Sequence, residues 1–316
     1  MIRTLVFPRA RAQLGIDRFR QLVESYLEFK VDPWRSMVPW RFEDWMGWHD
    51  AKDGSLFLGV NVEQGRVLDK PNGAQLKTFM SDCVDHHGVN FILTPHQSVL
   101  VTDIKPEDKP AIEALMEKHR IKPIEQVDPL VRLAIACPAL PLCGLAVGEA
   151  ERYMPTMVER MSRLLHAMDL GGEEILMRMT GCPNGCARPY MAELAWVGDG
   201  KDSYQVYVGG SPVLTNVGFS YQERAKVKTM ENTIEPLFAM WKEQRQGDEA
   251  FGSFCSRVGL DALKAYAKGY ECKHPCQKDV EQPAMVLRPM FKSDANSELP
   301  GYTSPLGRSA EAATSR

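Results

Sequence analysis

The sequence lacks a long apolar run and has little net charge. No hydrophobic stretch comes near the roughly 18 residues that a membrane-spanning helix requires, so we expect no such helix. The formal net charge is −3, which gives no reason to expect a nucleic acid or an anionic membrane as partner. The residues also offer no nucleotide-binding loop, no nucleophilic catalytic set and no paired carboxylates. These absences leave a globular protein of ordinary composition, with 44% hydrophobic and 25% charged residues.

The sequence also has no internal repeat and no secretory-type leader. Its first sixteen residues, MIRTLVFPRARAQLGI, carry three arginines and no acid, and they resemble a transit peptide only weakly because they are so few. Without a secretory context, disulfides are not the expected state of the cysteines, and metal binding or buried thiols are favoured. There are eight cysteines: Cys83, Cys137, Cys143, Cys182, Cys186, Cys255, Cys272 and Cys276.

Residues 55–119 have the periodicity of a compact α/β unit. SLFLGVNV predicts a strand, EQG a turn and RVLD, at residues 66–69, a returning strand. GAQLKTFMSDCVDHHG predicts a helix that ends at Gly88 and has Cys83 in its apolar stripe. VNFILT and SVLVTDI predict a strand pair around PHQ, and PEDKPAIEALMEKHRI predicts a second helix.

The segment after residue 125 predicts a second α/β unit. AERYMPTMVERMSRLLHAMDLGG predicts a helix with a methionine-rich stripe, which indicates core packing rather than a cofactor contact. EEILMRM predicts a strand that runs directly into TGCPNGC. AELAWVG and SYQVYVGG predict two more strands, and ENTIEPLFAMWKEQRQG predicts a helix.

Two cysteine pairs stand in loops that contain proline and glycine. Cys137 and Cys143 form C-x5-C, and Cys182 and Cys186 form C-x3-C after 38 intervening residues. Four thiolates suit zinc or an iron–sulfur cluster. Because structural zinc favours two-residue spacings, the wider loops favour [4Fe–4S], with zinc and unrelated buried thiols as alternatives. Asn184 and Gly185 can adopt the positive φ that turns amides toward the sulfurs.

These motifs together resemble a known family. CPALPLC, EAERYMP, MRMTGCPNGCARPYMAELAWVG and YQVYVGG are similar to the C-terminal half of the assimilatory sulfite reductase hemoproteins, in the siroheme and [4Fe–4S] nitrite/sulfite reductase family. LTPHQSVLV resembles the second half-repeat of that family. The resemblance implies an α/β (α+β) fold. It comprises a ferredoxin-like half-repeat at residues 46–122 and an α/β domain at 126–273 that binds cluster and siroheme. Residues 1–45 would be a remnant of a preceding domain, and 274–316 a disordered tail.

The resemblance also implies the cofactor ligands. Cys137, Cys143, Cys182 and Cys186 would hold one [4Fe–4S] cluster, and Cys186 would share its sulfur with the iron of a siroheme. By motif position, Asn184, Thr180 and Gln97 would contact the cofactors. His96 and Ser98 depart from the family pattern around Gln97, where the family often has asparagine at the histidine position. The C-x3-C pair of Cys272 and Cys276 has no matching partner pair, and we expect no second metal site there.

The activity that the resemblance implies is the six-electron reduction of sulfite to sulfide in sulfate assimilation. Sister nitrite reductases read closer to CTGNQFC and TGCPNSC, so sulfite is favoured over nitrite. Ferredoxin is favoured as electron donor over an NADPH-linked flavoprotein. In the family the basic residues that face sulfite lie mainly in the first half, so no catalytic residue is assigned here. A non-catalytic cluster-binding fragment is a further alternative. We expect a soluble protein of plastid or cytoplasm, without membrane or nucleic acid as partner.

Overall fold

The computed structural model describes residues 14–32 and 43–274. The chain forms two compact units, Met1–Glu43 and Asp44–Arg316. In the first unit, helix α1 spans Ile16–Glu24. The predicted disordered tail and Cys276 lie outside the described residues, and the predicted domain limits stay predictions. Within the described ranges, no helix is both long and apolar enough to cross a membrane.

The second unit begins with a four-stranded antiparallel sheet. Its strands are β1 (Gly47–Asp50), β2 (Leu56–Val60), β3 (Asn90–Leu93) and β4 (Val99–Ile104), in the order β1-β2-β4-β3. Helices α2 (Leu76–His87) and α3 (Lys109–Lys118) contribute to its core. Gly88 ends α2 in the left-handed conformation, as predicted. Cys83 is fully buried in this core, so its interpretation as a core residue is confirmed.

The predicted returning strand at residues 66–69 is wrong. Only Asp69 makes a bridge, to Gln75. Its carboxylate accepts hydrogen bonds from the backbone N–H and the hydroxyl of Thr78, at 3.0 and 2.7 Å, and so satisfies donors in the first turn of α2. Strand β2 is an inner strand of the sheet and pairs instead with β1 and β4.

A five-stranded mixed sheet forms the remainder of this unit. Its strands are β5 (Ile135–Ala136), β6 (Met177–Thr180), β7 (Leu194–Gly200), β8 (Ser203–Val208) and β9 (Phe219–Lys226), in sequential order. The pairs β5–β6 and β6–β7 are parallel, and the other two pairs are antiparallel. Its helices are α4 (Pro129–Leu133), α5 (Met154–Ala167), α6 (Met230–Gln244), α7 (Phe251–Val258) and α8 (Leu260–Gly269). The mixed α/β fold class predicted from the sequence is confirmed.

The methionine-rich stripe of α5 lies in the core. Met154, Met157 and Met161 have no exposed surface and belong to one cluster with Trp196 and Val206 of the sheet. Burying a side chain of this size contributes about 1.5–3 kcal/mol. The core interpretation of the stripe is confirmed, and the helix thereby supports the strands that lead into the cysteine loops.

Candidate metal and cofactor site

Both cysteine loops leave the same edge of the five-stranded sheet. Strand β5 ends at Ala136, directly before Cys137, and its parallel neighbour β6 ends at Thr180, two residues before Cys182. Cys137 N–H still donates to Met179 O of β6, at 3.1 Å. Because the carboxyl ends of adjacent parallel strands lie side by side, the fold brings the two pairs together at a position where α/β proteins commonly bind ligands.

Gly181 joins the two loops through its backbone. Its N–H donates to Cys137 Sγ at 3.3 Å, and its carbonyl accepts from the N–H groups of Val147 and Gly148, at 2.9 and 3.0 Å. A Cβ at position 181 would lie 2.6 Å from Gly148 O and 2.7 Å from Ala139 Cβ. The contact therefore depends on glycine, since any side chain would separate the loops.

Gly185 is the left-handed residue between the two cysteines of the second loop. Gly185 has φ of 69° and donates its N–H to Cys182 O at 3.4 Å, and Gly185 O accepts from Arg188 N–H at 2.8 Å. Gly185 adopts the positive φ that both residues could supply, and Asn184 does not. A second left-handed residue, Arg188 with φ of 55°, follows the two cysteines, and Asn184 is exposed.

The four predicted cysteine ligands are free and differ in exposure. Cys137 and Cys182 are buried, Cys143 is half-buried and Cys186 is exposed. Burial raises the pKa of Cys137, the N–H groups of Gly181 and Ala139 lower it, and the neighbouring Cys186 and Cys182 raise it further. Cys137 therefore lies within electrostatic range of Cys182 and of Cys186. Among the described residues, no three His, Cys, Asp or Glu side chains are grouped closely enough to hold a metal ion. Ligation by these four cysteines stays a prediction.

Thr180 has an unused hydroxyl beside the loops. The residue is 1% exposed, and its Oγ1 has no hydrogen-bond partner in the described part of the chain. A buried polar group normally has a partner, so an orphaned hydroxyl at the end of β6 fits a position that contacts a bound group. Its predicted role as a cofactor contact is supported by this observation and remains untested.

Gln97 is bonded to the backbone that precedes the first cysteine loop. Its side-chain Nε2 donates to Ala136 O at 2.7 Å, and its Oε1 accepts from Ala136 N–H at 3.1 Å. Gln97 has φ of 61°. A Cβ added to Gly65 would lie 3.0 Å from the Cβ of Gln97. The predicted cofactor contact of Gln97 stays a prediction. Its two hydrogen bonds to Ala136 fix β5 against the loop between β3 and β4.

Sequence reasoning missed a group of cations next to the second loop. Arg178 of β6 is fully buried and has Nη1 3.3 Å from Arg188 O. Burial and the neighbouring Arg188 lower the pKa of Arg178 to about 9, so it remains charged at neutral pH. Arg188 Nη2 donates to Pro95 O at 2.7 Å. The available signal was an arginine within the otherwise apolar strand that precedes TGCPNGC.

His96 lies beside these arginines and is neutral at physiological pH. Burial and then the charges of Arg178 and Arg188 lower the pKa of His96 to about 4. Arg178 and Arg188 therefore carry positive charge in this region at physiological pH, and His96 does not.

Comparison with known proteins agrees with this architecture. Residues 49–119 match the nitrite/sulfite reductase ferredoxin-like half domain. The chain is 42% identical over 257 residues to the ferredoxin sulfite reductase of Synechococcus elongatus, covering 81% of this chain and 41% of that protein. It is 36% identical over 249 residues to the NADPH sulfite reductase hemoprotein beta-component of Chromohalobacter salexigens, covering 79% and 43%.

The similarities extend over most of this chain but over less than half of each relative. The corresponding Myxococcus xanthus beta-component is 38% identical over 248 residues, which are 78% of this chain and 43% of that protein. The structure of the Mycobacterium tuberculosis NirA protein matches with a TM-score of 0.58 at 21% identity, covering 81% of this chain and 48% of that one, and shows a shared fold alone. The resemblance predicted from the sequence is therefore confirmed: the chain contains a nitrite/sulfite reductase ferredoxin-like half domain and is related over most of its length to the sulfite reductases.

Proposed function

We propose that this chain is the cluster-binding half of an assimilatory sulfite reductase. In this proposal Cys137, Cys143, Cys182 and Cys186 hold one [4Fe–4S] cluster, and Cys186 shares its sulfur with a siroheme iron. The observation that carries the proposal is the Gly181 junction, which packs two cysteine loops together at the carboxyl ends of β5 and β6. Thiolate donors are the ligands that iron–sulfur clusters use.

The residues around the loops fit bound cofactors. The buried Thr180 hydroxyl has no partner among the described residues and is placed to donate to an acidic group at the edge of a tetrapyrrole. Asn184 is exposed next to Cys186 and can donate its amide hydrogens in the same way. The paired cofactors supply a route by which electrons delivered singly reach the substrate. The protein holds the thiolates, orients the acidic groups and supplies positive charge from Arg178 and Arg188.

Sulfite is the proposed substrate and ferredoxin the proposed electron donor. Relatives named as ferredoxin-type and as NADPH-type sulfite reductases both match this chain, so an NADPH-linked flavoprotein is the alternative donor. The chain spans about two fifths of the length of these relatives. The complete activity is thus proposed for an assembly that includes the remaining length.

The cofactor assignment is tested by loading the purified chain anaerobically with iron, sulfide and siroheme. We expect the wild-type chain to retain non-heme iron and acid-labile sulfide in equal amounts, with the iron of the siroheme counted separately. Cys182→Ser should lose the cluster, because a hydroxyl is a poor ligand for the soft cluster iron. Thr180→Val should keep the iron and sulfide of the cluster and lose most of the siroheme absorbance, since only the hydroxyl is removed.

Two matched variants serve as controls for this experiment. Cys255→Ser changes a fully buried thiol of α7, and Thr233→Val changes a buried threonine of α6. Both should load like the wild type. Stoichiometric zinc without sulfide in the wild-type chain would contradict the assignment.

The substrate assignment is tested by pairing the chain with the N-terminal half of the Synechococcus elongatus relative. With reduced ferredoxin as donor, we expect kcat/KM for sulfite to exceed that for nitrite by at least about tenfold, a difference of about 1.4 kcal/mol in transition-state stabilisation. The motivation is the pair of motifs CPALPLC and TGCPNGC. A preference for nitrite would assign the chain to the sister activity.

A further inference from the structure

Arg178 is a buried cation without a counter-charge among the described residues. Its side chain has no exposed surface. Its Nη1 lies 3.5 Å from Ala187 O and 3.3 Å from Arg188 O, while Nε and Nη2 have no partner in the described ranges. The charge that acts on it is that of Arg188, which has the same sign.

Such an arrangement is costly to the fold. Burying a charge without a paired counter-charge is strongly unfavourable, and apolar replacements of buried charges are often more stable. Arg160, the other arginine buried in this unit to a similar degree, shows the usual solution. It forms an ion pair with Glu231 and also donates to Tyr153 Oη at 2.8 Å and to Val227 O at 2.8 Å. A purely structural role therefore does not account for Arg178.

The Nε and Nη2 atoms of Arg178 are buried in the protein. A carboxylate from another chain could therefore contact them only after a rearrangement of the surrounding residues. The guanidinium thus acts through space, at the carbonyls of the two residues that directly follow Cys186. In a region of low dielectric constant, a charge at this range has a large effect on its surroundings.

We propose that Arg178 is a positioning residue that holds a fixed positive charge against the Cys186 loop and thereby favours the reduced state of the metal centre. The proposal rests on the proposed function, since it assumes a cluster bound by the four cysteines. One electron from a reduced viologen adds one negative charge to that centre, and no covalent bond is made or broken. A permanent neighbouring cation stabilises the additional charge and raises the reduction potential. In this proposal the unpaired Arg178 lowers the stability of the fold and is retained because it favours electron transfer.

The test compares Arg178→Met, Arg178→Gln and Arg160→Met. In urea unfolding of the metal-free chain, Arg178→Met should unfold at the same or a higher urea concentration than the wild type, whereas Arg160→Met should unfold at a lower one. In the loaded chain, viologen-mediated titration should give a more negative midpoint potential for both Arg178 variants. Arg160→Met should leave the potential unchanged, because its charge is already paired.

The outcomes separate this proposal from the proposed function. An Arg178→Met chain destabilised as much as Arg160→Met would show a structural role and overturn the proposal. An unchanged potential would also overturn it, as would a shift in Arg178→Met but not in Arg178→Gln, because the amide keeps a donor without the charge. A wild-type chain that takes up no cluster would refute the proposed function, and the urea comparison would still decide whether Arg178 is structural.

Discussion

Gly181→Ala is expected to abolish cluster uptake and to destabilise the chain. The new methyl group would lie 2.6 Å from Gly148 O and 2.7 Å from Ala139 Cβ, which forces the two cysteine loops apart. Overpacking of this kind costs about 1–3 kcal/mol, and each lost backbone hydrogen bond adds about 1 kcal/mol. We expect a loss of about 3 kcal/mol in the free energy of unfolding, measured in urea on the metal-free chain, and negligible iron in the loaded chain.

Two further variants control this experiment. Gly144→Ala lies directly after Cys143 and has open space around its Cβ, so stability and iron content should match the wild type. Gly198→Ala, in strand β7, would place a Cβ 2.5 Å from Gly181 O. It should therefore show the same losses of stability and iron content as Gly181→Ala. Normal iron uptake by Gly181→Ala would show that the junction does not position the ligands.

Glu193→Gln is expected to change how stability depends on pH. Glu193 is 1% exposed and accepts hydrogen bonds from Leu176 N–H and Gly252 N–H, at 2.9 and 3.0 Å. Burial raises its pKa from 4.5 to about 7, although these two N–H groups lower it. Between pH 4.5 and about pH 7, the Glu193 carboxyl is ionised in the unfolded chain and still protonated in the folded chain. The free energy of unfolding therefore falls as pH rises, by about 3 kcal/mol over the window.

His96 has the opposite effect over nearly the same range. Its pKa falls from 6.5 to about 4 on folding, so its contribution rises with pH, and it is smaller because the ring is partly exposed. The wild type should accordingly show a shallow dependence, measured by urea unfolding from pH 4.5 to 7.5. Glu193→Gln should unmask a rising dependence, and His96→Asn a falling one. Identical slopes in the wild type and Glu193→Gln would show that the Glu193 carboxyl does not titrate in this window.

The sequence predicted the elements with strong periodicity and missed those defined by their partners. The α5 helix and strands β6–β8 are readable because their apolar residues repeat at regular intervals. Strand β1, GWHD, contains a glycine and two polar residues, and it forms only because β2 offers an open edge. Strand β9, FSYQERAK, is likewise polar and half-exposed, so its sequence pattern does not distinguish it from a loop.

The candidate site shows the same division. The cysteine spacing and the need for Gly185 follow from local chemistry, and the structure places both loops at one sheet edge. The Gly181 junction, the double hydrogen bond of Gln97 and the unpaired Arg178 each depend on residues distant in sequence. Such contacts leave no periodic signal. Gly181 and Gln97 are unremarkable in their own segments, whereas Arg178 stands out only as a cation within an otherwise apolar strand.

The contact between Gln97 and Ala136 also makes the anchoring of the first cysteine loop depend on the β3–β4 hairpin. Strand β5 has only two residues, and its outer side is bonded to a side-chain amide rather than to another strand. Gln97 precedes Ala136 by 39 residues in the sequence. The segment that ends in Cys137 is therefore fully anchored only after the hairpin that carries Gln97 has formed. Synthesis from the N-terminus delivers the two partners in that order. We expect the antiparallel hairpin β3–β4 to form ahead of β5 during refolding, so that metal acquisition follows the docking of β5 against Gln97.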